Sequence, residues 1–574
     1  MSTYKSLGSL TAFPPGGHTA KIDKYQLAVL HTEHGEVHVV DNRCPHEGYP
    51  LAQGKLDGCV LTCAWHNWKF DVRNGQSVLG GEGVRVYPCR VREGQLEVDL
   101  TEPDPQVLIP QYLQSLREGL FKFDNGRVFR DGLRLLRVGM SPRALLLEAI
   151  RYDAIHAEYG TTHVLPMAAD ACRQFEAFRD IDVMHPIGNV LDLCGESNVR
   201  MPPRPVPGVV PNGTRDEFVQ AVEVEDLNKA EGFVRGAILE GKSRLEMDAW
   251  LYDACADHFL DFGHPLIYMV KAQEFFAELP DVDREALADI YGALVYSIGV
   301  GTREDTLPYM RAYFKRFDAV SSELYAAYGQ EKPRPDAPFD LERLRHLVLE
   351  GSADEACHAL FSALREGVSI ERIAAVLVRA ASERLFRFNL DIERSLDVAE
   401  NWLWATHRFT FASAVRNAMV RHPTPKSLRF LVQTVAFTNT GKKMDAPIEQ
   451  RLPIHPEKMS VSEIVAALRH KDGERAVRGL AAHAEENASI DELRREVFRY
   501  CTKDPFVRPI YVAHAVKVAA AAFEEYAAHG DRFALYGMAR FLASPIICER
   551  RVERSISQSV RWVVEGKTPH KLTA

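Results

Sequence analysis

The chain has 574 residues, more than one hydrophobic core normally serves, so two or three domains are expected. Its 46% apolar and 26% charged residues are those of an ordinary globular protein, and a net charge of −9 argues against general nucleic-acid binding. No run of eighteen apolar residues, signal peptide or lipidation motif occurs, which points away from a membrane and toward the cytoplasm.

Residues 1–100 read as β structure. Gln26–Leu30, Val37–Asp41, Val60–Cys63, Val84–Val91 and Leu96–Leu100 are short β-branched runs separated by turn signals such as His34-Gly35 and Glu93-Gly94. Between these runs lie Cys44-Pro45-His46 and Cys63-Ala64-Trp65-His66, with sixteen residues between the pairs. Two thiolates and two imidazoles, one of each per loop, match a [2Fe–2S] cluster in which cysteines hold one iron and histidines the other. Structural zinc is the competing assignment, although zinc sites usually pair Cys with Cys and His with His.

The flanking residues carry a resemblance. Asp41-Asn42-Arg43-Cys44-Pro45-His46-Glu47-Gly48, Pro50–Gly54, Leu56-Asp57-Gly58, Cys63–Asp71 and Asn74-Gly75 resemble the ferredoxin-type Rieske family over about residues 5–100. The resemblance implies Cys44, His46, Cys63 and His66 as ligands of a Rieske [2Fe–2S] cluster carrying single electrons. High-potential members have an extra disulfide-forming cysteine in each loop, and here those places hold Tyr49 and Trp65. Trp68 stands where that group has a serine. Fewer polar bonds to the sulfurs imply a low potential, near −150 mV and nearly independent of pH around neutrality.

Thr101–Pro110, with three prolines, reads as a linker that neither continues a strand nor starts a helix cleanly. From about residue 111 the apolar period is 3.6, as in Arg143–Ala157, Leu245–Leu260, Arg284–Ile298, Leu341–Leu349 and Ile510–Tyr526. Met201–Gly213 and Thr440–Pro456 read as loops. The expected architecture is multidomain: an all-β Rieske domain over 1–103, a linker and entry segment over 104–140, and an all-α domain of degenerate repeats over 141–574, splitting into halves near 330–340. Eight further cysteines are scattered without pairing pattern, as in a reducing compartment.

Within the helical region four histidines head similar elements: His163–Ala169, His264–Ala272, His407–Ala414 and His514–Val518. These resemble, in order, the His-x-x-Met-Ala, His-x-x-Ile/Thr and His-Ala-x-Lys elements of the questin oxidase-like family, with one extra residue between His163 and Met167. That resemblance implies an all-α fold and a Baeyer–Villiger-like oxidation driven by reduced nicotinamide. If the array curls, His163, His264, His407 and His514 converge as catalytic residues binding a second iron, an organic cofactor or substrate; otherwise each caps its own helix. Tyr268 and Phe411 stand one turn after the middle two.

Other constellations are weaker. Asp253, Asp257, Asp261 and His264 resemble the facial triad of Rieske oxygenases without its second histidine, since residue 269 is Met. Glu355-x-x-His358 has di-iron spacing but occurs once. His185 and Asp192–Glu196 adjoin the proline-rich loop. No Gly-x-Gly-x-x-Gly or P-loop is present. The expected function is a Rieske oxidoreductase, oxygenase- or oxidase-like. Its cluster relays electrons from an NAD(P)H-dependent flavoprotein reductase or a ferredoxin to a helical site using a small organic substrate and O2. The alternative is a redox sensor with a helical binding scaffold.

Overall fold

The structure, a computed structural model, describes residues 4–330, 338–394, 401–451, 454–486, 489–503, 509–545, 556, 559–560 and 563–566. It divides into two compact units, Met1–Ser141 with Arg554–Ala574, and Pro142–Glu553.

The first unit holds eleven strands among its described residues: β1 (Tyr4–Ser9), β2 (Gly16–Ile22), β3 (Tyr25–His31), β4 (Val37–Asp41), β5 (Lys55–Asp57), β6 (Val60–Thr62), β7 (Lys69–Asp71), β8 (Ser77–Leu79), β9 (Val86–Tyr87), β10 (Cys89–Arg92) and β11 (Gln95–Asp99). They form three antiparallel sheets, ordered β1-β11-β10, β2-β3-β4-β9 and β5-β6-β7-β8. β3 explains the arrangement. Successive side chains of a strand point to opposite faces, and Leu27–Leu30 are all buried. Leu27 and Val29 enter one core with Phe13, Val39, Tyr87, Leu96 and Val98. Ala28 and Leu30 enter another with Val40, Leu51, Leu61, Phe70, Cys44 and Cys63. The central sheet thus separates two cores, and the motif cysteines belong to the second.

The segment over 104–140 holds two helices within this unit, α1 (Pro105–Lys122) and α2 (Asn125–Arg137). The expectation that the proline-rich stretch starts no helix is corrected. Asp104 caps α1 by accepting from the Gln106 N–H at 2.8 Å, and Pro105 occupies the first helical position, where a missing N–H costs nothing. Further on, Ile556 and Val563 are buried, and Arg137 donates to the Val563 carbonyl.

The second unit is helical. The helices Pro142–His156, Arg244–Asp257, Arg284–Val300, Leu341–Glu350 and Pro509–His529 overlie the periodic stretches of the sequence. Residues 201–210 are irregular, and two short 3-10 turns interrupt the loop after Thr440. Most of the split expected near 330–340 lies outside the described residues. No described helix is long and apolar enough to cross a membrane.

Candidate redox centre and histidine site

Cys44 and Cys63 open two loops of the same construction. Each cysteine carbonyl accepts from the N–H four residues on, Gly48 at 2.8 Å and Asn67 at 3.2 Å, and each cysteine N–H donates to the carbonyl five residues on, Tyr49 and Trp68. The closing residues are left-handed, with φ 74° at Gly48 and 59° at Asn67, a conformation that glycine and asparagine tolerate best. The thiols are 2% and 1% exposed and interact directly. That contact draws Cys63 down to about 6, helped by the Trp65 and His66 N–H groups, while it and burial push Cys44 up. Backbone N–H groups of His46 and Glu47 face the Cys44 sulfur in the same way.

On the other side, His46 Nδ1 and His66 Nδ1 lie 3.1 Å apart, with ring centroids 4.5 Å apart. Trp68 stacks on His46 at 4.7 Å and 10°. Paired sulfurs supplied with N–H donors, together with paired Nδ1 atoms, fit a cluster with thiolates on one iron and imidazoles on the other. Tyr49 and Trp65 are neighbours at 5.8 Å, so the two places a disulfide would join are filled by an aromatic pair. A separate mixed set, Glu36, His38 and Cys59, has its ligand atoms within 4.8 Å of one another on a partly exposed face of the same unit.

In the helical unit the structure brings His163, His264, His407 and His514 together. Neighbouring ring centroids are 4.9 Å (His163–His264), 4.3 Å (His264–His407), 4.7 Å (His407–His514) and 4.8 Å (His514–His163) apart. His264 begins the helix His264–Glu278 and His163 stands at the N-cap position of Val164–Gln174, but the expectation that all four head helices is corrected. His407 and His514 sit in the second turns of Trp402–Arg421 and Pro509–His529. There each Nδ1 reaches the carbonyl four residues back, Leu403 at 2.6 Å and Ile510 at 2.7 Å. His264 Nδ1 reaches the Asp261 carbonyl at 2.7 Å, and His163 Nδ1 meets Tyr268 Oη at 3.3 Å. The N-cap His163 makes no side-chain capping bond.

A carbonyl only accepts, so in His264, His407 and His514 the Nδ1 carries a proton, and in His407 and His514, which burial keeps neutral, the Nε2 lone pair is bare. His407 Nε2 and His514 Nε2 lie 3.2 Å apart, and the buried Nε2 atoms of His163 and His264 have no hydrogen-bond partner among the described residues. Burial holds His163, His407 and His514 well below the usual imidazole range, and the positive Lys517 acts in the same direction. Neutral imidazoles with anchored Nδ1 and bare Nε2 atoms are what a transition-metal ion requires of its ligands. The ligand atoms of His163, His264 and His407 lie within 4.8 Å of one another.

Three surrounding features lie outside the histidine elements read from the sequence. Asp261, Phe262 and Gly263 are all left-handed, with φ 43°, 56° and 85°. This turn aims His264 inward and sets Phe262 on Trp404 at 4.3 Å. Glu304 accepts from the Phe262 N–H at 2.6 Å, and burial raises it to about 7. Lys517, one turn past His514, has a buried Nζ with no hydrogen-bond partner among the described residues, and burial draws it down to about 7. Its signal in the sequence was a single charge in the apolar run from Val512 to Phe523.

The weaker candidates fall elsewhere. Asp253 pairs with Arg215 at 2.5 Å and Asp257 with Lys426 at 2.7 Å. Glu355 completes a capping box with Ser352, and His358 is exposed. His185 stacks on Phe178 at 6.0 Å.

The Rieske [2Fe-2S] domain profile matches residues 7–88. The 4beta-methylsterol monooxygenase of Methylococcus capsulatus is 32% identical over 101 residues, covering 15% of this chain and 27% of that protein. The ferredoxin component of the alkene monooxygenase system of Xanthobacter autotrophicus is 31% identical over 102 residues, 17% of this chain and 75% of the ferredoxin. The biphenyl dioxygenase ferredoxin subunit of a Pseudomonas strain is 30% identical over 102 residues, 17% and 94% respectively. The chain thus spans about a quarter of the sterol enzyme and most of each ferredoxin. Residues 7–88 are a Rieske [2Fe-2S] domain with a redox role, and through them this chain belongs to the Rieske family.

Proposed function

We propose that this chain is an oxidoreductase with its own electron entry, working in a reducing cytoplasm. Cys44 and Cys63 hold one iron of the cluster and His46 and His66 the other. An NAD(P)H-dependent flavoprotein reductase or a ferredoxin loads the cluster, as befits a domain similar to components of named oxygenase systems. The electrons serve a second centre held by His163, His264, His407 and His514. Bound there, an iron ion would supply the redox chemistry that reduces dioxygen or oxidises a small organic substrate.

One observation carries this reading: four imidazoles are ring neighbours, His163, His264 and His407 with ligand atoms within 4.8 Å of one another, and three of the four have Nδ1 committed to backbone carbonyls. Helix capping needs none of that convergence. The chain's own part is to keep these rings neutral and oriented and to exclude water. Tyr268 steadies His163, and the turn before His264 fixes its approach. The resemblance of the four helical elements to the questin oxidase-like family points to an oxidation of a ring ketone or quinone, with the Rieske domain as the electron source.

Metal analysis of the purified protein is the test. Iron above two per chain, falling to two in His264→Ala and His407→Ala while the reduced Rieske resonance is kept, is the expected result. Two irons in every variant, with no other metal or organic cofactor, would leave the redox-sensing scaffold as the better reading.

A further inference from the structure

Beside the Rieske loops lies a buried charge network that electron transfer by itself does not require. Glu82 is 4% exposed. It accepts from Arg130 through both oxygens, one of them from Nε at 3.1 Å, and from Arg134 Nη1 at 2.7 Å. Arg134 also donates to Asp131 at 2.6 Å, and Asp131 is fully buried. Arg127, 3% exposed, lies 3.9 Å from Asp131 and donates to Glu118 at 2.9 Å. All three arginines stand on α2, which lies outside the residues that match the Rieske profile.

The network reaches the cluster loops by a short physical path. Glu82 belongs to the turn Gly80-Gly81-Glu82-Gly83, whose glycines let backbone lie on the Trp68 indole. A Cβ at Gly80 would stand 2.5 Å from that ring, and one at Gly81 3.4 Å from both the ring and Arg127. Trp68 in turn stacks on His46. Coulomb interactions are stronger in such a shielded place than at the surface. Reduction adds one negative charge to a [2Fe–2S] cluster, so a nearby cation favours the reduced state and a nearby anion the oxidised state.

We infer that Arg130 and Glu82 are tuning residues of the redox centre: Arg130 raises its reduction potential and Glu82 lowers it, so α2 is a working part of the electron-carrying unit. The inference rests on the assignment of Cys44, His46, Cys63 and His66 as ligands.

The test is a redox titration of the full-length holoprotein, followed by the resonance of the reduced cluster. Arg130→Met should move the midpoint downward and Glu82→Gln upward. Damage to packing alone would not produce opposite signs. Arg130→Lys keeps the charge and loses the fork, so it should keep the wild-type midpoint while the melting temperature falls. If Arg130→Met does not load a cluster, Glu82→Gln and Arg130→Lys still decide. Midpoints that stay put, or that move in one direction in Arg130→Met and Glu82→Gln, overturn the inference. A wild-type protein without the histidine-ligated resonance overturns the ligand assignment instead, before any of these variants is needed.

Discussion

His407 and His514, 107 residues apart in the chain, face each other Nε2 to Nε2 at 3.2 Å. Each ring spends its only proton on the carbonyl four residues back in its own helix. Two lone pairs therefore point at one another in a buried place, which is unfavourable unless a cation lies between them. That arrangement is what motivates the proposal of a metal ion among these rings.

The Rieske ligands are the first point to check. His46→Ala or His66→Ala should abolish the red-brown colour and the reduced-state resonance, with loss of the two cluster irons. Each iron needs four ligands, and nothing else in the two loops offers an imidazole. Tetrahedral zinc in anaerobically purified wild-type protein would refute the assignment.

The helical site should separate cleanly from the cluster. His264→Ala and His407→Ala are expected to abolish substrate-dependent reoxidation of the reduced cluster and to lose the additional metal, with the Rieske spectrum unchanged. A structural histidine would instead show as a loss of about 1–2 kcal/mol in stability with metal retained. Denaturation alongside metal analysis distinguishes the two.

Gly263 should resist even a methyl group. Its φ is 85°, and an added Cβ would stand 2.2 Å from the Phe411 ring. Gly263→Ala is expected to cost about 1–3 kcal/mol by denaturant unfolding, and to displace His264 enough to lower metal occupancy. Unchanged stability would mean that the left-handed turn is not what sets the approach of His264.

Glu304 gives a pH signature. Burial raises it from 4.5 to about 7 in the folded chain, whereas the unfolded chain releases that proton near 4.5. The folded state therefore holds the proton more tightly between these values. Stability from this group is full below about pH 4.5 and falls as pH rises to about 7, by up to ~3 kcal/mol. Glu304→Gln keeps the acceptor for the Phe262 N–H and removes the titration. Its stability relative to wild type should rise between pH 5 and 8, as measured by urea unfolding at the two pH values.

Much of this was legible in the sequence because it is local. Cys44-x-His46 and Cys63-x-x-His66 declare a ligand set within a few residues, and β-branched runs with turn signals give the strands around them. The four helical histidines were legible as a recurring element, but their meeting is a product of helix packing over more than three hundred residues. Nothing in local spacing could fix it. Their position within helices was misread for the same reason. The end of a helix is set by the backbone of neighbouring turns, so His407 and His514 look like helix heads only because aromatic and alanine-rich residues follow them. The α1–α2 hairpin was missed because prolines at 105 and 110 suggest a break, while Asp104 turns the first of them into a start. Glu82 and Arg130 are 48 residues apart, and each looks like an ordinary surface charge until the fold buries both.

The first unit is closed by residues from the far end of the chain, with Ile556 and Val563 buried in it and the Val563 carbonyl taken by Arg137. A ribosome making this protein must finish the whole helical unit before the electron-carrying unit can acquire its last contacts. Strands β1–β11 and the helices after them emerge first and wait, with the Arg137 guanidinium uncapped, while about four hundred residues are added. Completion of the two units is thereby coupled in time, and a cluster inserted early sits in an unfinished housing. Excision of residues 1–141 as a free ferredoxin would leave the Arg137–Val563 contact unmade.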